Sequence, residues 1–163
     1  MFRRPQGRHG FREPNAQRLV SAVLAWSLSF LFALRVAGQA LQRWMPVTWL
    51  PPFGAFQGSN LPYWLLLTSQ LLILALMVRF SWRVHAGSLV PNRRAGTVLA
   101  WAGGLYLMIS IGRIAVGLLV VEAPAWFKAW ISAVFHVVLA IYVLTLAAYH
   151  LQQVRAEPES STR

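Results

Sequence analysis

The sequence predicts an all-α fold, a polytopic four-transmembrane-helix bundle with both termini cytoplasmic. Three observations carry that reading. Only 12% of the 163 residues are charged and 57% are apolar, where a soluble domain carries about a quarter charged residues. Four apolar runs each reach the roughly 18 to 20 residues that span a bilayer core as helix. The cations cluster in alternate connections, a bias that sets orientation. Together these exclude a disordered chain, a coiled coil and an ordinary water-soluble enzyme.

The elements follow in order. Residues 1–17 read as a basic cytoplasmic tail, carrying Arg3, Arg4, Arg8 and Arg12 and broken by Pro5, Gly7, Gly10 and Pro14. Such a tail is attracted to anionic lipid heads. The transmembrane domain is placed at 18–154, with spans near 19–41, 61–78, 95–121 and 127–152. The first run is interrupted by Arg35 and Gln39, the third by Arg113, while the second holds no charge and the fourth neither acid nor arginine. Its length favours an uncleaved first span over a signal peptide. Residues 155–163 read as a polar cytoplasmic tail.

Arg3, Arg4, Arg8, Arg12 and Arg18 precede the first span, and Arg79, Arg83, Arg93 and Arg94 fall between spans two and three. The other two connections hold only Arg43 and Lys128. By the positive-inside rule, both termini and the middle loop face the cytoplasm. The expected location is a bacterial cytoplasmic (inner) membrane, multi-pass. The net charge of +11 would suit nucleic acid, but cations spread in short clusters between apolar runs argue for lipid and against that partner. The expected partners are membrane lipids, anionic ones at the cytoplasmic face, and a membrane protein. With no cysteine, disulfides and thiolate chemistry are excluded.

The connection 42–60 holds Trp44, Trp49, Phe53 and Phe56 among Pro46, Pro51 and Pro52. Amphipathic rings favour the headgroup layer, and the prolines forbid one continuous helix. This segment is expected to lie flat on the outer face, in a belt completed by Trp64, Trp126 and Trp130.

Arg35 and Arg113 are the sharpest features, because an arginine inside a span costs a few kcal/mol and needs a reason. Each lies about two thirds of the way along an outward-running helix, so both belong to the outer half. No Asp or Glu occurs inside any span, which leaves Glu122 as a candidate partner for Arg35. Gly103, Tyr106, Ser110, Arg113 and Gly117 recur at spacings of three and four, and span four offers Ser132, His136, Ala140, Val143, Ala147 and His150 on a comparable face. Small and hydroxyl residues are what helix contacts in lipid prefer. One reading is snorkelling plus hydrogen bonds to carbonyls and hydroxyls. The other is an anion or lipid-headgroup site formed by Arg35, Arg113, His136, Tyr106 and Ser110.

His136 and His150 stand fourteen residues apart, about 21 Å along one helix face. That spacing resembles the haem ligands of b-type membrane cytochromes. The resemblance implies haem ligands among His136, His150 and His85, with His85 and His150 at the same cytoplasmic end. No cofactor is otherwise expected, and haem b is the alternative. No metal site, paired carboxylates, HExxH or phosphate loop is present, so no catalytic residue is assigned and the chain leans away from being an enzyme. Four spans with Arg35-Val36-Ala37-Gly38 and Arg113-Ile114-Ala115-Val116-Gly117 near the outer ends resemble the small bacterial DoxX-like membrane proteins. That likeness implies topology and carries no function.

The expected function is a non-catalytic membrane subunit or assembly factor. The alternatives are an electron-transfer component binding b-type haem or quinone, and an anionic-lipid binder or carrier that uses the intramembrane arginines.

Overall fold

The computed structural model describes residues 13–56, 61–122, 124, 127 and 129–156, with side chains from residue 16 onward. Among these, every regular element is helical: α1 (Glu13–Trp44), α2 (Phe53–Phe56), α3 (Tyr63–His85), α4 (Arg93–Leu119) and α5 (Trp130–Ala156). Four of them, all but α2, are long and apolar enough to cross a membrane. Residues 1–12 and 157–163 of the two expected tails lie outside the described residues, as do Trp126 and Lys128.

The helices overrun the apolar stretches that announce them. α1 starts at Glu13, inside the segment read as tail, and reaches Trp44. α3 continues seven residues past Val78, because hydrogen bonding along a helix does not stop where hydrophobicity does. Met77, Ser81 and Val84, spaced four and three apart, stay buried through that extension while Arg79 and Arg83 face outward. Two residues past the end of α3 the chain turns at Gly87, whose φ of 68° is accessible to glycine at little cost. The following amides of Ser88 and Leu89 close back on the Arg83 carbonyl. α4 opens on Asn92, whose side chain accepts the Ala95 N–H, the usual way to satisfy an orphan donor at a helix start.

Packing runs as a chain of neighbours: α3 against α1, α1 against α5, α5 against α4. The α4–α5 contact is the most extensive, as their short connection requires. Gly96 and Gly103 make it possible. A Cβ on Gly103 would sit 3.0 Å from Leu144 and 3.1 Å from Val143, and one on Gly96 would sit 2.9 Å from Leu151. Small residues let helix backbones approach in this way. α3 and α4 do not pack on one another to any comparable extent.

Polar latches fasten the bundle at the end carrying the α3–α4 turn. Tyr142 of α5 donates to the Met77 carbonyl at 2.7 Å, and its hydroxyl meets Ser81 at 3.2 Å, which in turn meets Ser29 of α1 at 3.2 Å. Tyr149 donates to the Leu89 carbonyl at 3.0 Å, and the Asn92 N–H donates to His150 Nδ1 at 3.2 Å. The turn joining α3 to α4 is thus held on α5 by both hydrogen bonds.

In the connection between α1 and α3, one ring departs from the outward belt expected of this segment. Trp44, Trp49, Trp64 and Trp130 are exposed, but Phe56 is 6% exposed and packs near Gly38. The four-residue α2 turns that ring inward over the end of the bundle.

Candidate functional site

Toward the α2 end, the helices surround a cavity of about 260 Å³ with walls from all four long helices. α1 supplies Phe32 and Arg35, α3 supplies Ser69 and Gln70, α4 supplies Tyr106 and Arg113, and α5 supplies Ser132, Phe135 and His136. Of the five residues read from sequence as an anion site, four line this cavity: Arg35, Arg113, His136 and Tyr106. Ser110 does not. It is buried, and its hydroxyl donates to the Tyr106 carbonyl of its own helix at 2.7 Å.

Arg35 is 7% exposed and reaches toward the α2 end, donating through one terminal nitrogen to Gln39 Oε1 at 2.8 Å and through the other to the Phe56 carbonyl at 3.0 Å. Its guanidinium carbon lies 5.7 Å from the centre of the Phe135 ring, a distance at which a cation gains from the ring quadrupole. Glu122 is exposed, and Arg35 finds its partners in an amide, a backbone carbonyl and an aromatic face instead.

Gln39 and Gln70 complete this cluster, and neither was among the residues read as a site. The Gln70 amide donates to Gln39 Oε1 at 3.1 Å, so that oxygen accepts from Arg35 and Gln70 together. Among the described residues, Arg35 Nε, Gln39 Nε2 and Gln70 Oε1 are buried with no hydrogen-bond partner. Each such group costs about 1–3 kcal/mol. A single glutamine in an otherwise apolar run is the signal that points to Gln70. The Phe56 carbonyl leaves no signal, because any residue supplies one.

Across the cavity, His136 Nδ1 lies 2.6 Å from the Ser132 carbonyl of the preceding turn. A carbonyl only accepts, so this nitrogen carries the hydrogen and Nε2 is the ring's other polar face. Tyr106 sets its ring edge-on to the imidazole, with centroids 6.0 Å apart. Arg113 is buried and lines the same cavity as Tyr106 and His136. Arg35, Arg113, His136 and Tyr106 therefore border one small space, with Phe32 and Leu139 among its apolar walls. Such a space can hold a compact anionic group.

The other two histidines among the described residues lie elsewhere. His150 is buried at the opposite end with Nδ1 taking the Asn92 N–H, while His85 is exposed next to Trp82. Among the described residues, no three His, Cys, Asp or Glu side chains gather as metal ligands. The chain matches no family model, no curated protein and no solved structure.

Proposed function

We propose that this chain is a multi-pass protein of a bacterial cytoplasmic membrane, both termini inside, that binds an anionic headgroup between its helices. The observation that supports the binding is the convergence of Arg35, Arg113 and His136 on one cavity. Insertion is supported by four helices of 23 residues or more with the hydropathy of membrane spans. Orientation rests on the arginines gathered before α1 and between α3 and α4. With that orientation the cavity lies in the outer half of the bilayer.

Burial energetics favour this reading over a purely structural role for the arginines. A guanidinium at the centre of a span costs about 2.5–3.5 kcal/mol, and two stand here in the outer halves of their spans, where part of that cost remains. A bound anion adds a favourable interaction with each, strengthened by the low dielectric around them. We read the site as one that holds its ligand.

The test is native mass spectrometry of the full chain purified in mild detergent. Wild-type protein retains an acidic lipid, and Arg35→Gln and Arg113→Gln each reduce that retention about tenfold, or 1.4 kcal/mol. Equal lipid content in all three proteins, each confirmed helical by circular dichroism, sinks the proposal. If a stoichiometric partner protein then co-purifies, the role of a non-catalytic membrane subunit takes its place.

A further inference from the structure

The polar side chains around the cavity are of two kinds. Arg35 of α1 and Arg113 of α4 both line it, and a guanidinium only donates hydrogen bonds. α3 and α5 supply the opposite. Ser69 spends its one hydroxyl hydrogen on the Leu66 carbonyl at 2.8 Å, so its oxygen is left to accept. Gln70, 6% exposed, commits its amide nitrogen to Gln39, while its Oε1 is buried with no hydrogen-bond partner among the described residues. His136 gives its Nδ1 hydrogen to the Ser132 carbonyl, and a neutral imidazole bonded in this way accepts at Nε2.

A ligand that only accepts suits half of this lining. A sulfate, a carboxylate or a fully ionised phosphate meets the guanidiniums, but it turns oxygens toward the acceptors on α3 and α5. Those acceptors then lose the donors that water would give them, a cost that is felt most where they are buried. A ligand with a hydroxyl beside its anionic centre serves both kinds: oxygens for the arginines, a hydrogen for an acceptor. A volume of about 260 Å³ falls below the roughly 300–1,000 Å³ that encloses a drug-sized ligand, so the group must also be compact. A glycerol phosphate meets all three conditions.

Building on the headgroup-binding reading, we infer that the bound headgroup carries a free hydroxyl next to its charge, as a lipid phosphodiester of glycerol does. Its phosphate lies on the side of Arg35 and Arg113. Its hydroxyl donates to an acceptor of the opposite set, His136 Nε2 foremost, and the imidazole is neutral in that state. Selection among anionic lipids then comes from the acceptors and not from charge. A site built to hydrogen-bond a hydroxyl discriminates against the analogue that lacks it.

The experiment is a native mass spectrometry titration of the detergent-solubilised full chain with dioleoyl phosphatidylglycerol and dioleoyl phosphatidylethanol. The two share acyl chains and a single phosphodiester charge, and only the glycerol head bears hydroxyls. Phosphatidylglycerol binds about tenfold more tightly. This comparison is made on the unaltered protein, so it does not depend on a variant folding. In His136→Phe, confirmed helical by circular dichroism, phosphatidylglycerol loses affinity while phosphatidylethanol does not, and the preference shrinks to about twofold. Equal binding of the two lipids by the wild type overturns the hydroxyl but leaves the headgroup site standing. A preference undiminished in His136→Phe overturns the part given to the imidazole. Displacement of phosphatidylglycerol by free glycerol phosphate keeps the chemistry and overturns a lipid as its source. Binding of neither lipid, or binding indifferent to Arg35→Gln and Arg113→Gln, removes this inference together with the headgroup reading.

Discussion

Arg35 holds the carbonyl of Phe56, twenty-one residues further along the chain, at 3.0 Å. The guanidinium inside the bundle thereby fastens the segment that crosses its end. The same side chain faces the cavity, so the end segment and the site share one anchor.

Substituting that anchor has a local consequence. Arg35→Gln shortens the side chain and leaves the Phe56 carbonyl without its donor. Backbone amides of Phe53–Phe56 then exchange with solvent about tenfold faster, the equivalent of one lost hydrogen bond to a charged group. Exchange across α5 is unchanged. Hydrogen-exchange mass spectrometry reads both regions in one experiment, and equal protection at Phe53–Phe56 would refute the tie.

The α4–α5 interface predicts a contrast between adjacent glycines. Gly103→Leu drives a side chain into Leu144 and Val143, whereas a Cβ at Gly104 meets nothing within 4 Å. Overpacking of this kind costs about 1–3 kcal/mol, while Gly104→Leu stays within about 0.5 kcal/mol of wild type. Denaturation by sodium dodecyl sulfate in mixed micelles measures the difference. Equal stability of the two variants would contradict this packing.

Tyr142→Phe removes one hydroxyl that serves both the Met77 carbonyl and Ser81. Interhelical hydrogen bonds in membranes average about 0.6 kcal/mol and reach about 1.7. The double engagement places this loss near the upper part of that range. The same denaturation assay reads it, and Ser81→Ala should lose less because the bond to Met77 survives.

The orientation proposed for the chain yields a clean labelling experiment, since the protein has no cysteine of its own. Thr48 lies in the α1–α3 connection and Ser88 in the α3–α4 turn, both exposed. Thr48→Cys reacts with a membrane-impermeant maleimide on intact cells, and Ser88→Cys reacts only after permeabilisation. The reverse pattern would invert the bundle.

The four long helices were legible because length and apolarity are properties of a stretch of sequence. Their ends were less so, since the apolar run closes at Val78 whereas the buried stripe continues through Ser81 and Val84 to the end of α3. Arg35 and Arg113 stood out by their cost in an apolar run, and helix periodicity put Tyr106 beside Arg113. Gln70 is a quieter signal of the same kind, a lone amide without charge. Phe56 could not be read, because an aromatic ring in a connection suits an interface as well as an interior. Only the fold turns it inward and aims its carbonyl at Arg35.

The contacts of Tyr142 have a mechanical corollary. They clamp α3 near its midpoint and beyond, at Met77 and Ser81, while the stretch toward Tyr63 borders the cavity. The half bearing Gln70 is tied down separately, to Gln39 Oε1 of α1 at 3.1 Å. Two anchors that share no residue, one on either side of its midpoint, therefore hold α3 in place.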